Sequence, residues 1–174
     1  LLKKSGGTKR VEDFAEKNNV NVNASKIRNR KTEIFSSFIM KNKQKLRKSV
    51  NEIINFTKKN NVKLALSTST TINNVEAVFK SLSDQISNED FHFIGNRSLV
   101  KNEKPNPEIY KLTLEKLNLE PDNCLAIEDT EESSKSAVSA GIKCIGFPGD
   151  YHSDDSFEMC IKKVKILDQS LFSL

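Results

Sequence analysis

At 174 residues, 36% of them hydrophobic, the chain suits one domain, or one domain with a small appendage, and can still build a core. No apolar run approaches 18 residues, which excludes a membrane-spanning helix, and no secretory signal is visible from Leu1 onward. The net charge of +5 is unevenly placed: residues 1–63 hold 17 Lys/Arg against 5 Asp/Glu, whereas the remainder holds 11 against 18. That asymmetry predicts two structural units. A basic block of this kind suits nucleic acid, a small phosphorylated ligand, or a solvated helix face. Richness in Lys and Asn along the whole chain also fits a coding bias. The three cysteines, Cys124, Cys144 and Cys160, read as reduced thiols of a reducing compartment rather than as a disulfide framework.

In chain order, residues 8–18 and 23–41 read as helices. In the second, Ala24, Ile27, Ile34, Phe35, Phe38 and Ile39 recur near the helical period. No strand pattern appears before about residue 62. A helix over 49–60 then leads to a short strand at 63–67, a helix over 73–83 and a strand at 91–95. A helix over 107–118, a strand over 123–127 and a helix over 131–140 follow, the last ending at Gly141, a natural left-handed terminator. A strand at 143–147 comes next, and a last one is predicted at 164–167. Alternating strands and helices specify a parallel sheet covered on both faces, with ligands bound beyond the carboxyl ends of its strands.

Three motifs fall at such ends. Leu64-Ala65-Leu66 runs into Ser67-Thr68-Ser69-Thr70-Thr71 just before a helix. Hydroxyls and unpaired N–H groups there make an anion site, or else an ordinary N-cap. Lys104-Pro105-Asn106-Pro107 offers a lysine in a stiff loop, with Asn106 as helix cap and Pro107 in the first turn. Leu125-Ala126-Ile127 ends in Glu128-Asp129, a carboxylate pair suited to a hard cation such as Mg²⁺, or to the start of a helix. His92, His152 and Asp154-Asp155 carry no recognisable metal spacing. Gly6-Gly7 followed by Lys9-Arg10 reads as a basic phosphate-contacting loop or as a linker.

Together, in this order, the three motifs resemble the haloacid-dehalogenase-like (HAD) phosphatases, in the β-phosphoglucomutase-like branch. Lys-Pro-x-Pro-x-x-Tyr, then a strand, Glu-Asp and a helix ending Ala-Gly are specific to that branch. Gly6-Gly7-x-x-Arg10, Arg30-Lys31-Thr32-Glu33-Ile34-Phe35, Asn74-Val75-Glu76-Ala77 and Pro148-Gly149-Asp150-Tyr151 look like the xylulose-1,5-bisphosphate phosphatases of the CbbY type. The resemblance runs from residue 1 to about 160. It implies an α/β fold: a doubly wound, Rossmann-like parallel sheet with a helical cap. Residues 1–47 would be part of the cap, and 48–174 the core.

The resemblance also implies a Mg²⁺-dependent phosphatase of a small sugar phosphate, a ketose bisphosphate, acting through an aspartyl-phosphate. Thr68 would bind phosphate, assisted by the amide of Ser69. Lys104 would stabilise the nucleophile and the transferring group. Asp129 would ligate Mg²⁺, with Glu128 beside it as ligand or support. Arg10 and Lys9 would meet the distal phosphate. Thr68→Ala and Lys104→Ala are expected to cost rate and leave the fold intact. The family's Asp-x-Asp-Gly-Thr strand, which bears the nucleophile between the hydroxyl-bearing and Glu-Asp-bearing strands, has no counterpart here. The expectation is that it lies upstream of Leu1 and that this chain alone is inactive. Partners are expected to be small molecules only, with no nucleic acid and no membrane, for a monomer in the cytoplasm or a plastid stroma. The rivals are a sugar phosphomutase on the same scaffold and a basic nucleic-acid-binding or regulatory module. The latter lacks interleaved aromatics for stacking bases. Departures from the family pattern are Thr8-Lys9 within the cap loop, Lys48-Ser49 in place of Pro-Gly, a longer loop before Lys104, and Ser133 in place of Gly.

Overall fold

The structure, a computed structural model, describes residues 7–173, with side chains from Arg10 onward. Two helices come first. Helix α1, Gly7–Lys17, packs against α2, Ala24–Lys41. Helix α2 starts where its sequence predicts, because the Asn23 side chain accepts a hydrogen bond from Lys26 N at 2.9 Å. It stops at Asn42, whose backbone N–H and side-chain amide both donate to Phe38 O. Of the predicted basic loop, Gly6 and the Lys9 side chain lie outside the described residues, while Gly7, Lys9 and Arg10 stand in the first turn of α1, so the loop reading is corrected to helix from Gly7 onward.

A short extended segment leads from α2 to α3, Val50–Lys59. Gln85 holds it: its Oε1 accepts from Leu46 N, and its Nε2 donates to Gln44 O. Arg47 fastens the same segment to the far side of the core by donating to Phe147 O and Pro148 O, each at 2.7 Å, with its guanidinium over the Phe147 ring. Ser49 then sits at φ +72°, a left-handed conformation that explains the glycine usual at this place in the resemblance. Its buried hydroxyl accepts a hydrogen bond from Leu167 N at 2.8 Å.

Strands and helices alternate from there: β1 Ala65–Ser67, α4 Ile72–Ser81, β2 Phe93–Gly95, α5 Glu108–Leu117, β3 Leu125–Glu128, α6 Glu131–Ser139 and β4 Lys143–Gly146. Every pairing is parallel, as predicted. Period-two burial explains how the helices divide between the faces. Ala126 and Cys144 point into a cluster with Ile109, Tyr110 and Ala137 of α5 and α6. Leu125, Ile127, Ile145 and Phe147 point the other way, toward Ile53 of α3 and the C-terminal Leu167 and Leu171. Helix α6 ends as expected, with Gly141 at φ +86°.

The predicted strand at 164–167 is corrected. The last strand, β5, is Lys162–Lys163, paired with Ile145 and Gly146. Val164 makes one further bond to Gly146 O, and Leu167 leaves the sheet for Ser49. The apolar character of 164–167 reflects packing under α3, not a ladder.

The strands do not form one sheet. Among the described residues, β1 pairs only with β2, and β3, β4 and β5 form a second sheet. Between β1 and β3 lies a cavity of about 680 Å³, lined by Ala65, Leu66 and Ser67 on one side and by Leu125, Ile127 and Glu128 on the other. Helix α5 crosses behind it, touching β1, β2 and α6. Two strand edges thus face each other without a ladder.

The Ser49 geometry sets two opposing effects. A left-handed non-glycine residue costs about 1–2 kcal/mol, and loss of a bond that satisfies a buried N–H costs about 1–3 kcal/mol. Ser49→Ala keeps the strain and loses the bond; Ser49→Gly loses the bond but relieves the strain. Urea unfolding should rank the alanine variant clearly below wild type, with the glycine variant between them.

Candidate active site at the strand carboxyl ends

Each of the three predicted motifs is positioned by the end of a strand. After β1 the backbone stays tied to β2 through Thr68 N to Gly95 O at 3.0 Å, then turns so that Thr70 N donates to the Thr68 hydroxyl at 3.2 Å. Thr71 is the N-cap residue of α4, yet its hydroxyl makes no capping bond and is buried without a hydrogen-bond partner among the described residues. Ordinary N-capping therefore does not account for the hydroxyl cluster. Ser67 is accounted for otherwise, since its hydroxyl pairs with Thr113 of α5 at 2.7 Å.

Lys104 stands in the loop between β2 and α5. Glu108 organises this loop by accepting from Lys101 N at 2.7 Å and from Asn102 N and Nδ2 at 2.9 Å; these bonds hold its carboxyl below the usual range. Asn106 caps α5 as predicted, accepting from Glu108 N. Its carbonyl receives the fully buried Ser136 hydroxyl of α6 at 2.7 Å. The loop is thus fixed at both ends.

From that loop the Lys104 side chain turns inward and is only 6% exposed. Its ammonium donates to Ser67 O of β1 at 2.9 Å and to Glu128 Oε1 of β3, so one group joins the carboxyl ends of the two separate sheets. The same Glu128 oxygen accepts from the Tyr110 hydroxyl, and the Lys104 ammonium lies 4.9 Å from the Tyr110 ring centre. Burial first, and the Glu128 charge second, push the Tyr110 phenol well above its ordinary range, so it remains a hydrogen-bond donor. Glu128 is 9% exposed, whereas its neighbour Asp129 faces solvent. Thr130, not the acidic pair, caps α6, by accepting from Ser133 N.

Of the predicted site residues, the structure brings Thr68, Ser69, Lys104, Glu128 and Asp129 to the strand carboxyl ends, with direct contact between Lys104 and Glu128. Arg10 lies on α1, which packs on α2; Lys9 lies on the same helix. Sequence reasoning assigned no role to Tyr110. Its place one helical turn past Pro107 gives the signal, because a buried phenol needs a partner.

Among the described residues no three His, Cys, Asp or Glu side chains converge as a metal cluster. Two carboxylates remain a fitting donor set for Mg²⁺, which binds through one or two carboxylates and completes its octahedron with water and phosphate oxygens.

A parallel α/β core with its polar groups gathered at the strand carboxyl ends belongs to the class that binds ligands at that rim. Comparison with known proteins narrows the class. The chain belongs to the haloacid dehalogenase-like hydrolase family, which it matches over residues 5–147. It is 30% identical to the protein CbbY of Cereibacter sphaeroides over 160 residues, 90% of this chain and 70% of that protein. It is 35% identical to the phosphorylated carbohydrates phosphatase of Thermotoga maritima over 120 residues, 69% of this chain and 52% of that one. Its fold superposes on a CbbY mutant from Rhodobacter sphaeroides solved in complex with xylulose-(1,5)bisphosphate. There the TM-score is 0.83 at 28% identity, over 94% of this chain and 74% of that chain.

The burial of Lys104 revises the expectation that Lys104→Ala leaves the fold intact. Removing one partner of a buried ion pair typically costs about 3–5 kcal/mol, because the other charge is left uncompensated. Lys104→Met should therefore lower the urea midpoint sharply. Adding Glu128→Gln should recover a large part of the loss.

Proposed function

We propose that this chain carries most of the active site of a Mg²⁺-dependent phosphatase of a small sugar phosphate, with a ketose bisphosphate as substrate. The observation that carries the reading is the junction at Lys104, where a buried ammonium spans the ends of β1 and β3 beside the hydroxyl loop and the acidic pair. The family membership and the sugar-bisphosphate complex of the CbbY neighbour support the same substrate class.

In this reading the Thr68 hydroxyl and the Ser69 amide hold the phosphoryl oxygens at the N-terminus of α4, where the uncapped turn and the helix dipole favour an anion. Lys104 supplies a fixed positive charge against the negative charge carried by the transferring group. Glu128, held by Lys104 and Tyr110, keeps that ammonium oriented. Asp129 and Glu128 would hold the cation, which when bound neutralises phosphoryl charge. Helices α1 and α2 act as the cap over the substrate, with Arg10 and Lys9 meeting the distal phosphate as a fork and a point charge.

The reading needs a nucleophile. The sequence contains no Asp-x-Asp-Gly-Thr motif, and covalent catalysis here requires a carboxylate within reach of Lys104. We infer that the carboxylate arrives on an apolar strand set between β1 and β3. The two unladdered edges, the apolar lining of the cavity and the position of Lys104 at its end support this.

The 174-residue chain should release no phosphate from sugar phosphates with Mg²⁺, whereas a fusion that places an Asp-x-Asp-Gly-Thr strand ahead of Leu1 should do so. In that active form Asp129→Asn should abolish Mg²⁺-dependent turnover; wild-type turnover in this variant would refute the metal assignment. Arg10→Ala should lower kcat/KM about tenfold or more for a ketose bisphosphate relative to a monophosphate, the effect of one lost charge-assisted contact. Equal losses on both substrates would remove Arg10 from distal phosphate recognition.

A further inference from the structure

Helix α2 packs on α4 and is also tied to the core by polar links. Of its hydrophobic residues only Ala24 and Ile39 are buried, while Ile34 and Phe38 are 55% and 61% exposed. Among the described residues two polar links reach the core, and each ends beside a residue of the candidate site. In the first, Arg28 donates to Glu103 Oε1 at 2.9 Å, and Glu103 directly precedes Lys104. In the second, the Ser36 hydroxyl donates to Asn74 Oδ1 at 2.8 Å, and Asn74 Nδ2 donates to the Thr70 hydroxyl at 2.7 Å. Thr70 N is the donor to the Thr68 hydroxyl.

The two links meet at Arg97. Its Nε donates to the same Glu103 oxygen at 2.5 Å, its Nη1 donates to Val100 O, and its backbone N–H donates to Thr70 O at 2.8 Å. Glu103 therefore lies between an arginine of the core, Arg97, and an arginine of α2, Arg28. Burial raises the Glu103 carboxyl, but hydrogen bonds from Arg97 and Arg28 outweigh it, so the group is held ionised below its usual range. Lifting α2 removes one of its two cationic partners. The segment 101–104 would then keep the Arg97 contact and the Glu108 bonds but lose its tie to the helix.

We propose that Glu103 is a positioning residue: seating of α2, read through Arg28, fixes the loop that presents Lys104, while Ser36 and Asn74 fix the loop that presents Thr68. Resting on the phosphatase reading, this makes the site fully ordered only when the cap lies on the core. The Arg28–Glu103 pair keeps 27% and 16% of its side chains exposed, so both charges regain water when the contact opens, and the neutral Ser36–Asn74 bond is exchanged for water in the same way.

The test reads Lys104 without turnover. The purified 174-residue chain is pulse-labelled with an amine-acetylating ester, and acetylation at Lys104 is compared with that at the exposed Lys111 by peptide mass spectrometry. Arg28→Ala should raise Lys104 labelling about tenfold with Lys111 unchanged, and Arg28→Lys should restore most of the protection. Ser36→Ala should raise amide exchange at Thr70 with little effect on Lys104. Should Arg28→Ala fail to fold, Glu103→Gln removes the charge of that link at nearly constant volume, together with that of the Arg97 contact, and should give at least the same rise. Lys104 labelling within twofold of wild type in a folded Arg28→Ala or Glu103→Gln variant, or a rise shared equally by Lys111, would overturn the proposal. Labelling as expected, in a chain whose activated form hydrolyses no sugar phosphate, upholds the link and counts against the phosphatase reading alone.

Discussion

The buried pair of Lys104 and Glu128 governs the arrangement of everything around it. Two charges withdrawn from water each carry a desolvation penalty of several kcal/mol, and their mutual attraction offsets it only where the remaining hydrogen-bonding capacity is satisfied. Here it is: the ammonium also reaches Ser67 O, and the carboxylate also accepts from Tyr110. The contacts come from β1, β3, α5 and the loop before α5. Those elements must hold their relative positions for the pair to be tolerated. A hydrophobic substitute of the same volume could be as stable, so stability alone does not call for an ion pair here.

The same pair stands where the core is least continuous. β1 and β3 share no ladder among the described residues, and the cavity between them is flanked by α5, with the Lys104 ammonium bonded to Ser67 and Glu128 of its lining. Open parallel edges expose unpaired N–H and C=O groups. The site at the rim and the gap in the sheet are thus one feature seen from two sides. A strand that completed the sheet would deliver its last residue to the Lys104 ammonium.

Much of this was legible in the sequence, for reasons that can be stated. Helices and strands from 50 to 146 follow from periodicity because each packs on one side of a sheet and keeps a clean apolar face. Asn106 and Gly141 mark helix ends because capping is local chemistry. The rim residues were legible because alternating strands and helices put every strand's carboxyl end on one edge. What could not be read depends on distance along the chain. Glu103 meets Arg28 across 75 residues, and nothing in either neighbourhood announces the other. The apolar stretch 164–167 imitates a strand because burial under α3 demands the same residue types. Ser49 carries its strain for a bond to Leu167, a partner 118 residues away.

The central claim is that the strand ends form one phosphoryl-binding rim. Amide chemical shifts of ¹⁵N-labelled protein, titrated with orthophosphate in the presence of Mg²⁺, test it most directly. The account predicts saturable shifts concentrated at Thr68, Ser69, Lys104 and Asp129, lost together in Asp129→Asn when Mg²⁺ is required for binding. Shifts confined to the basic surface of α1 and α2, with the four rim amides unmoved at saturating phosphate, would contradict it.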